Sequence, residues 1–367
     1  MKTIVLSAVN IRKGGTLTIL RSCLDYLSTQ AQLQGWHIVA LVHKRSLCDY
    51  PNIEYIEMPH TIKGWGRRLW CEYVTMKQVS KRFPSIDLWL SMHDTTPRVT
   101  AKRQAVYCQT SFPFLKWRWR DFLFDPKIVL FALFTRFAYR INIHRNKYLI
   151  VQAEWLRRGF SQMFGVEESR FIVAPPQKAK IAPISAVRVE DGKVRFFFAA
   201  TPDCHKNFEA VCRAAEMLAE EADASQFEVA ITLKGDENRY AKWLYNKWGS
   251  CENIKFVGFL SKEQLAHYYA VSDCLIFPSR VETWGLPISE FAAYRKPMLL
   301  ADLPYAHETA AGSDEVAFFD PECPQTLAEE MRNVIQKDYS SFHPVPPARI
   351  AAPVATDWYE LFAALLA

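Results

Sequence analysis

Two glutamates eight positions apart, Glu282 and Glu290, are the residues best placed to do chemistry in this chain. They lie in FPSRVETWGLPISEFAAYRKP. The apolar run Cys274–Phe277 before them reads as a buried strand that ends at Pro278. Gly285 permits a sharp turn, and Pro287 has a fixed φ suited to a first helical turn. The pattern therefore puts Glu282 on a strand-end loop and Glu290 inside the following helix. Between them, Gly285 and Leu286 can present amide N–H groups, whereas Pro287 cannot. Helix-start amides attract phosphate. A site of this shape can hold a nucleotide sugar, with carboxylates on hydroxyls and amides on the diphosphate. The plainer reading is a solvated loop glutamate and an exposed helix glutamate.

Other residues at strand ends belong beside this pair. Lys206, in HKNF, follows an apolar strand and precedes a helix. A lysine there can neutralise a departing diphosphate without a metal ion; a solvated loop lysine is the alternative. Gly14-Gly15 stand between the first strand and a helix, where a phosphate can approach the backbone closely; an ordinary turn has the same composition. The full G-x-G-x-x-G of dinucleotide-binding enzymes is absent. His93-Asp94 end the strand Asp87–Met92, and Gln109 ends the strand Gln104–Gln109. Ligands of parallel sheets bind at such ends. For His93-Asp94 a capping pair in a loop is the competing reading.

Composition narrows the class. The 367 residues suggest two domains, and half are apolar. Residues 1–180 carry 28 Lys and Arg against 12 Asp and Glu; residues 181–367 carry 17 against 27. A first half this basic suggests an anionic surface or substrate. The nine cysteines are scattered, with no C-x-x-C, which disfavours disulfides and zinc and fits a reducing cytosol. No D-x-D occurs, so a metal-dependent transferase would lack an obvious ligand pair, and no metal is expected. No apolar run of about 18 residues is present, so a spanning helix is not expected, and the chain opens directly on a strand rather than a leader. Residues 63–70 and 116–140 instead interleave basic residues with Trp and Phe. That mixture suits an anionic bilayer surface. It also allows base stacking, although a nucleic-acid partner is not expected.

Alternation of strand and helix along the chain predicts α/β architecture with parallel sheets. Strands are expected at Thr3–Val9, His37–His43, Ile53–Met58, Asp87–Met92, Gln104–Gln109, Tyr148–Gln152 and Phe171–Ala174. A Pro-rich, Lys-dotted break suggests a linker at 179–193 between domains 1–178 and 194–342. The second domain should hold strands Val194–Ala200, Phe227–Leu233, Ile254–Phe259, Cys274–Phe277, Met298–Ala301 and Val316–Phe319. Ser261 and Gln264 form a capping box for a helix between two of them. Residues 343–367 should be extended and then helical.

The E-x7-E spacing, the FPS before it and the K-P-hydrophobic strand after it resemble retaining glycosyltransferases of family 4. LSAVNIRKGG, LSMHD, YCQTSFPF, HKNF and VGFLSKEQLAHYYAVSDCLIFPS also occur in that family's order. The resemblance covers nearly the whole chain and is strongest over 194–337, with enzymes of lipopolysaccharide O-antigen or capsule synthesis the most similar. It implies the GT-B fold, two doubly wound Rossmann-like domains with an interdomain cleft and a C-terminal helix that crosses back to the first. It implies a nucleotide-sugar donor, retention of configuration, and a lipid-linked oligosaccharide acceptor met at the inner face of a bacterial inner membrane. Glu290 would hold the ribose, Glu282 the sugar, and Lys206 the diphosphate; the Gly14-Gly15 loop would touch donor or acceptor. Gln109 stands where the family often has histidine; glutamine cannot titrate, so it would orient the sugar. An arginine usual before the lysine is missing from Ala199-Ala200-Thr201, and Lys234 or Arg280 would have to replace it. A nucleotide-sugar epimerase of the same fold, or a membrane-docked subunit that binds without turnover, are the alternatives.

Overall fold

The computed structural model describes residues 1–62, 64–176, 184, 190–221 and 224–367. Lys63 and most of the expected linker 179–193 fall outside the described residues. The chain forms two compact units.

The first comprises residues 1–110, 134–177 and 350–367. Its seven strands are β1 (Thr3–Ala8), β2 (His37–Val42), β3 (Ile53–Glu57), β4 (Leu88–Ser91), β5 (Gln104–Tyr107), β6 (Tyr148–Val151) and β7 (Phe171–Val173). All pair in parallel, in the order β3-β2-β1-β4-β5-β6-β7. A parallel sheet is covered on both faces, so its central strands are mostly apolar. In β1, Ile4 and Leu6 join one buried cluster and Val5 another. Helix Gly14–Gln34 covers the first face with Leu17, Leu20, Leu24 and Leu27, a helical stripe. Helix Trp358–Leu366 lies on the same face: Leu361, Phe362 and Leu365 are buried in that cluster, and Phe362 stacks on Tyr26 at 5.5 Å.

The second unit comprises residues 111–133 and 178–349. Its strands are β8 (Val194–Phe198), β9 (Phe227–Ile231), β10 (Ile254–Phe256), β11 (Cys274–Phe277), β12 (Met298–Ala301) and β13 (Val316–Phe319), parallel and ordered β10-β9-β8-β11-β12-β13. The capping box forms: Ser261 Oγ accepts from the Gln264 amide at 3.3 Å, and Gln264 Oε1 accepts from the Ser261 amide at 2.9 Å. Segment 111–133 differs from the sequence reading, which kept it with the first domain. Its side chains pack on the second unit. Phe124 of helix Trp119–Phe124 meets Tyr240 and Trp243 at 5.4 and 5.2 Å, and the Arg120 guanidinium lies 4.6 Å from the Trp243 ring.

Candidate functional site

In the second unit the strand order reverses between β8 and β11. Open parallel sheets bind ligands beyond the carboxyl ends of the strands at such a reversal. The segment after β8 carries Lys206, and the segment after β11 carries Glu282. Although 76 positions apart, their side chains meet, with Lys206 Nζ 2.5 Å from Glu282 Oε1. The two are 16% and 12% exposed, so the pair is held mostly out of water.

Both loops are pinned. Asn207, with φ of 61°, donates from Nδ2 to the carbonyls of Pro278 at 3.2 Å and Pro321 at 2.9 Å. The Arg280 amide donates to the His205 carbonyl at 2.8 Å. The Tyr305 hydroxyl donates to the Ser279 carbonyl at 2.6 Å, and Thr309 Oγ1 donates to the Trp284 carbonyl. His205 is buried, and that burial, reinforced by Lys206 and Arg280, lowers its pKa far below the usual imidazole range. The ring is therefore neutral beside the lysine.

Gly285 precedes the helix Leu286–Ala292 with φ of 92°, a conformation that disfavours any side chain. Inside that helix Glu290 Oε2 accepts from the Tyr269 hydroxyl at 2.9 Å. Burial raises the Glu290 pKa, and the Tyr269 hydrogen bond pulls it partly back. The lysine of the following K-P pair serves the structure. Lys296 Nζ donates to the carbonyls of Ala270 at 2.5 Å, Ser272 at 2.7 Å and Tyr269 at 3.2 Å. It thus closes the C-terminal end of helix Lys262–Val271.

The two cations that sequence left open as substitutes for the missing arginine now separate. Arg280 is only 4% exposed and engaged with Asp121 Oδ1 at 2.5 Å. Lys234 has a side chain 73% exposed and, among the described residues, only Asp236, at 3.6 Å, as an ionic neighbour; such surface pairs hold weakly.

In the first unit the reversal lies between β1 and β4. Gly14-Gly15 follow β1; both are exposed, Gly14 with φ of 71°, and the helix they open has no side-chain cap. Gln109 follows β5. Its amide donates to Asp94 Oδ1 at 2.5 Å, and its Nε2 donates to the Met92 carbonyl at 2.9 Å. Its buried Oε1 has no partner among the described residues. The Asp94 carboxylate also accepts from the Thr110 amide at 3.1 Å. His93 is buried, with Nδ1 3.0 Å from Thr95 Oγ1 and Nε2 3.2 Å from Ser7 Oγ. Both ring nitrogens are thus occupied, so the structure places His93 in a packed network beneath the strand ends.

Burial pushes the Asp94 carboxyl from 3.8 up to about 6, against the pull of the Gln109 and Arg68 groups. Burial lowers His93 from 6.5 to about 4. The signs oppose. Asp94 holds its proton more tightly when folded, so its contribution is present below about pH 4 and lost as pH rises through 6. His93 resists protonation when folded, so stability from it falls as pH drops from 6.5 towards 4. Asp94→Asn removes the first effect only. Relative to the parent, the variant is expected to gain about 1 kcal/mol between pH 5 and pH 8. Thermal unfolding at the two values checks this, and an unchanged difference would refute it.

Residues 159–343, just over half of the chain, match the family described as Glycosyl transferases group 1. The chain belongs to that family. The matched region contains Lys206, Glu282, Gly285, Leu286 and Glu290 of this group 1 glycosyltransferase. Over 85 residues it is 33% identical to the serotype-specific mannosyltransferase WbdA of Escherichia coli. That stretch is 23% of this chain, and it spans only about a tenth (10%) of the curated relative. Among solved structures it is similar to the lipopolysaccharide outer core galactosyltransferase WaaB, with TM-score 0.62 and 10% identity over 93% of this chain and 92% of that one. It is likewise similar to Anabaena HepE in complex with UDP-glucose, with TM-score 0.61 and 14% identity over 93% and 92%. At these identities the likeness is one of fold. The fold is GT-B, with two α/β units built on parallel sheets.

Two features of this group 1 glycosyltransferase escaped the sequence. Tyr269, the partner of Glu290, sits in helix Lys262–Val271, 21 positions away. Asp121, the partner of Arg280, is 159 positions away, and no local pattern links them.

Proposed function

We propose that this protein transfers a sugar from a nucleotide-sugar donor to a lipid-linked oligosaccharide, with retention, as family 4 enzymes do. Contact between Lys206 and Glu282 at the strand-order reversal carries the reading. Glu290 would hold the ribose hydroxyls, Glu282 the hydroxyls of the sugar, and Lys206 the diphosphate. The amides of Gly285 and Leu286 would face that diphosphate. Lys206 supplies positive charge where negative charge develops, so no metal ion is needed for that role. Lys234, exposed and weakly held, is the second cation available to the phosphates. Gln109, fixed by Met92 and Asp94, would orient the sugar, and Gly14-Gly15 would approach donor or acceptor. HepE, a neighbour in fold, is described with UDP-glucose, and WbdA as a mannosyltransferase. The first description agrees with a nucleotide-sugar donor and the second with sugar transfer.

The acceptor setting is a bacterial O-antigen or capsule pathway at the cytoplasmic face of the inner membrane. No helix among the described residues is long and apolar enough to cross a bilayer. In the second unit Trp119 is 78% exposed, and Phe122 and Leu123 are exposed with Lys127 close in sequence; in the first, Phe134 and Phe137 are exposed with Arg136 and Arg140 close in sequence. Apolar rings flanked by cations suit an anionic headgroup layer.

A thermal-unfolding screen of nucleotide sugars, followed by transfer assays on lipid-linked oligosaccharides, tests the proposal. One nucleotide sugar at 100 times its Kd should add about 2.7 kcal/mol of stability. Sugar should then appear on the acceptor with its anomeric configuration kept. Release of an altered nucleotide sugar without acceptor would favour an epimerase instead.

A further inference from the structure

The turn that presents Lys206 is tied to a part of the chain that precedes it by about eighty residues. Arg280 contacts that turn twice. Its amide donates to the His205 carbonyl, and its Nη2 donates to the Cys204 carbonyl at 3.1 Å. The same Nη2 lies 2.5 Å from Asp121 Oδ1, and Nη1 donates to the Lys116 carbonyl at 3.3 Å. Arg280 and Asp121 are 4% and 6% exposed. Asp121 is itself fixed, because its Oδ2 accepts from the Arg118 amide at 2.7 Å. The helix that carries it is anchored by Phe124 against Tyr240 and Trp243. Phe112, from the same segment, meets the His205 ring edge-on at 5.2 Å.

We propose that Asp121, acting through Arg280, is a positioning residue for Lys206. A guanidinium has a planar, rigid set of donors. Held by Asp121 on one side, it fixes the Cys204 carbonyl on the other, two residues from Lys206. The placement of helix Trp119–Phe124 thereby sets where the ammonium group meets a diphosphate. This inference rests on the donor-site reading above.

The test uses the full chain and calorimetric titration with UDP, GDP and dTDP, with the matching nucleosides as diphosphate-free controls. Lys206→Ala should weaken the preferred nucleoside diphosphate about tenfold and leave the nucleoside unchanged. Asp121→Asn should produce a loss of similar size, again confined to the diphosphate. The two changes together should cost no more than Lys206→Ala alone, because they act on one contact. Asp121→Asn leaves Arg280 buried without its carboxylate, so a second variant guards against misfolding. Asp121→Leu with Arg280→Met replaces the pair by apolar groups of similar volume, a change buried ion pairs tolerate. It should unfold near the parent temperature and show the same diphosphate-specific loss. If folded Asp121 variants bind the diphosphate as the parent does, or if the losses add, the inference is overturned. If Lys206→Ala itself changes nothing, or the parent binds none of the three diphosphates, the donor-site reading fails first and takes the inference with it.

Discussion

Replacing Lys206 with alanine is expected to slow sugar transfer by about 10²–10³-fold while the protein stays folded. The size follows from removing one charged donor from a site where charge develops as the bond breaks. Lys206 is 16% exposed, so little water screens its charge. The ammonium also neutralises Glu282 at 2.5 Å. Its loss leaves that carboxylate, 12% exposed, without an ion-pair partner among the described residues, and weaker donor binding should accompany the slower chemistry. Lys206→Arg keeps the charge but changes the reach, so it should recover part of the rate. Steady-state kcat and KM with the donor found in the screen provide the measurement. Parent-like kcat in Lys206→Ala would remove Lys206 from the reaction.

A second large effect is expected far from Lys206 in sequence. Glu72 lies in a π-helical turn, Cys71–Thr75, between the short helices Trp65–Trp70 and Met76–Ser80. Its side chain is fully buried, with Oε1 2.9 Å from Arg68 Nε. Arg68 in turn donates from Nη2 to the His93 carbonyl at 2.9 Å. His93 Nδ1 lies 3.5 Å from the same Glu72 oxygen, but with its pKa lowered to about 4 the ring is neutral near pH 7. That contact is then a polar one, and the Arg68–Glu72 pair carries the charge. Removing one member of a buried pair costs about 3–5 kcal/mol. Glu72→Ala should therefore lower the unfolding temperature of the first unit by roughly 10 °C. Two units need not unfold together, so calorimetry should resolve the shift as a change in one transition. Nucleotide binding by the second unit should persist. Glu72→Gln keeps the shape without the charge and should fall between the two. An unshifted transition in Glu72→Ala would show that the pair contributes nothing to stability.

Much of this fold was legible in the residues. All thirteen strands of the described residues lie inside runs read from apolar pattern, because parallel strands buried on both faces leave an unmistakable record. Most strands end short of their apolar runs, by up to three residues, as at Val194–Ala200 against Val194–Phe198 and Ile254–Phe259 against Ile254–Phe256. Apolarity continues past the last ladder hydrogen bond there. Helix Arg239–Trp248 was missed because its exposed face is strongly charged and its core residues are few: Tyr240, Ala241, Leu244 and Trp248. The π-helical turn at Glu72 leaves no mark in the sequence, since a single wider turn hardly disturbs helical periodicity. At the site, Glu282 and Lys206 stand out by position after strand ends, and Glu290 by its spacing inside the following helix. What no local pattern carried was pairing at a distance. Arg280 looked like a spare cation because its carboxylate lies 159 residues upstream. His93 looked accessible because nothing in LSMHD reveals Ser7 beneath it.

The lodging of residues 111–133 within the second unit bears on protein engineering. A designer wishing to graft a new donor preference would naturally splice near residue 180 and exchange the C-terminal portions of two related enzymes. Such a chimera would carry Arg280 from one parent and face whatever the other supplies at position 121. Unless that residue were an acid, a guanidinium would be stranded in the interior. Workable crossovers must transplant the 111–133 excursion together with the second unit's main segment, which ends at residue 349, and leave 350–367 with the first unit, so that two separate inserts travel as one cassette.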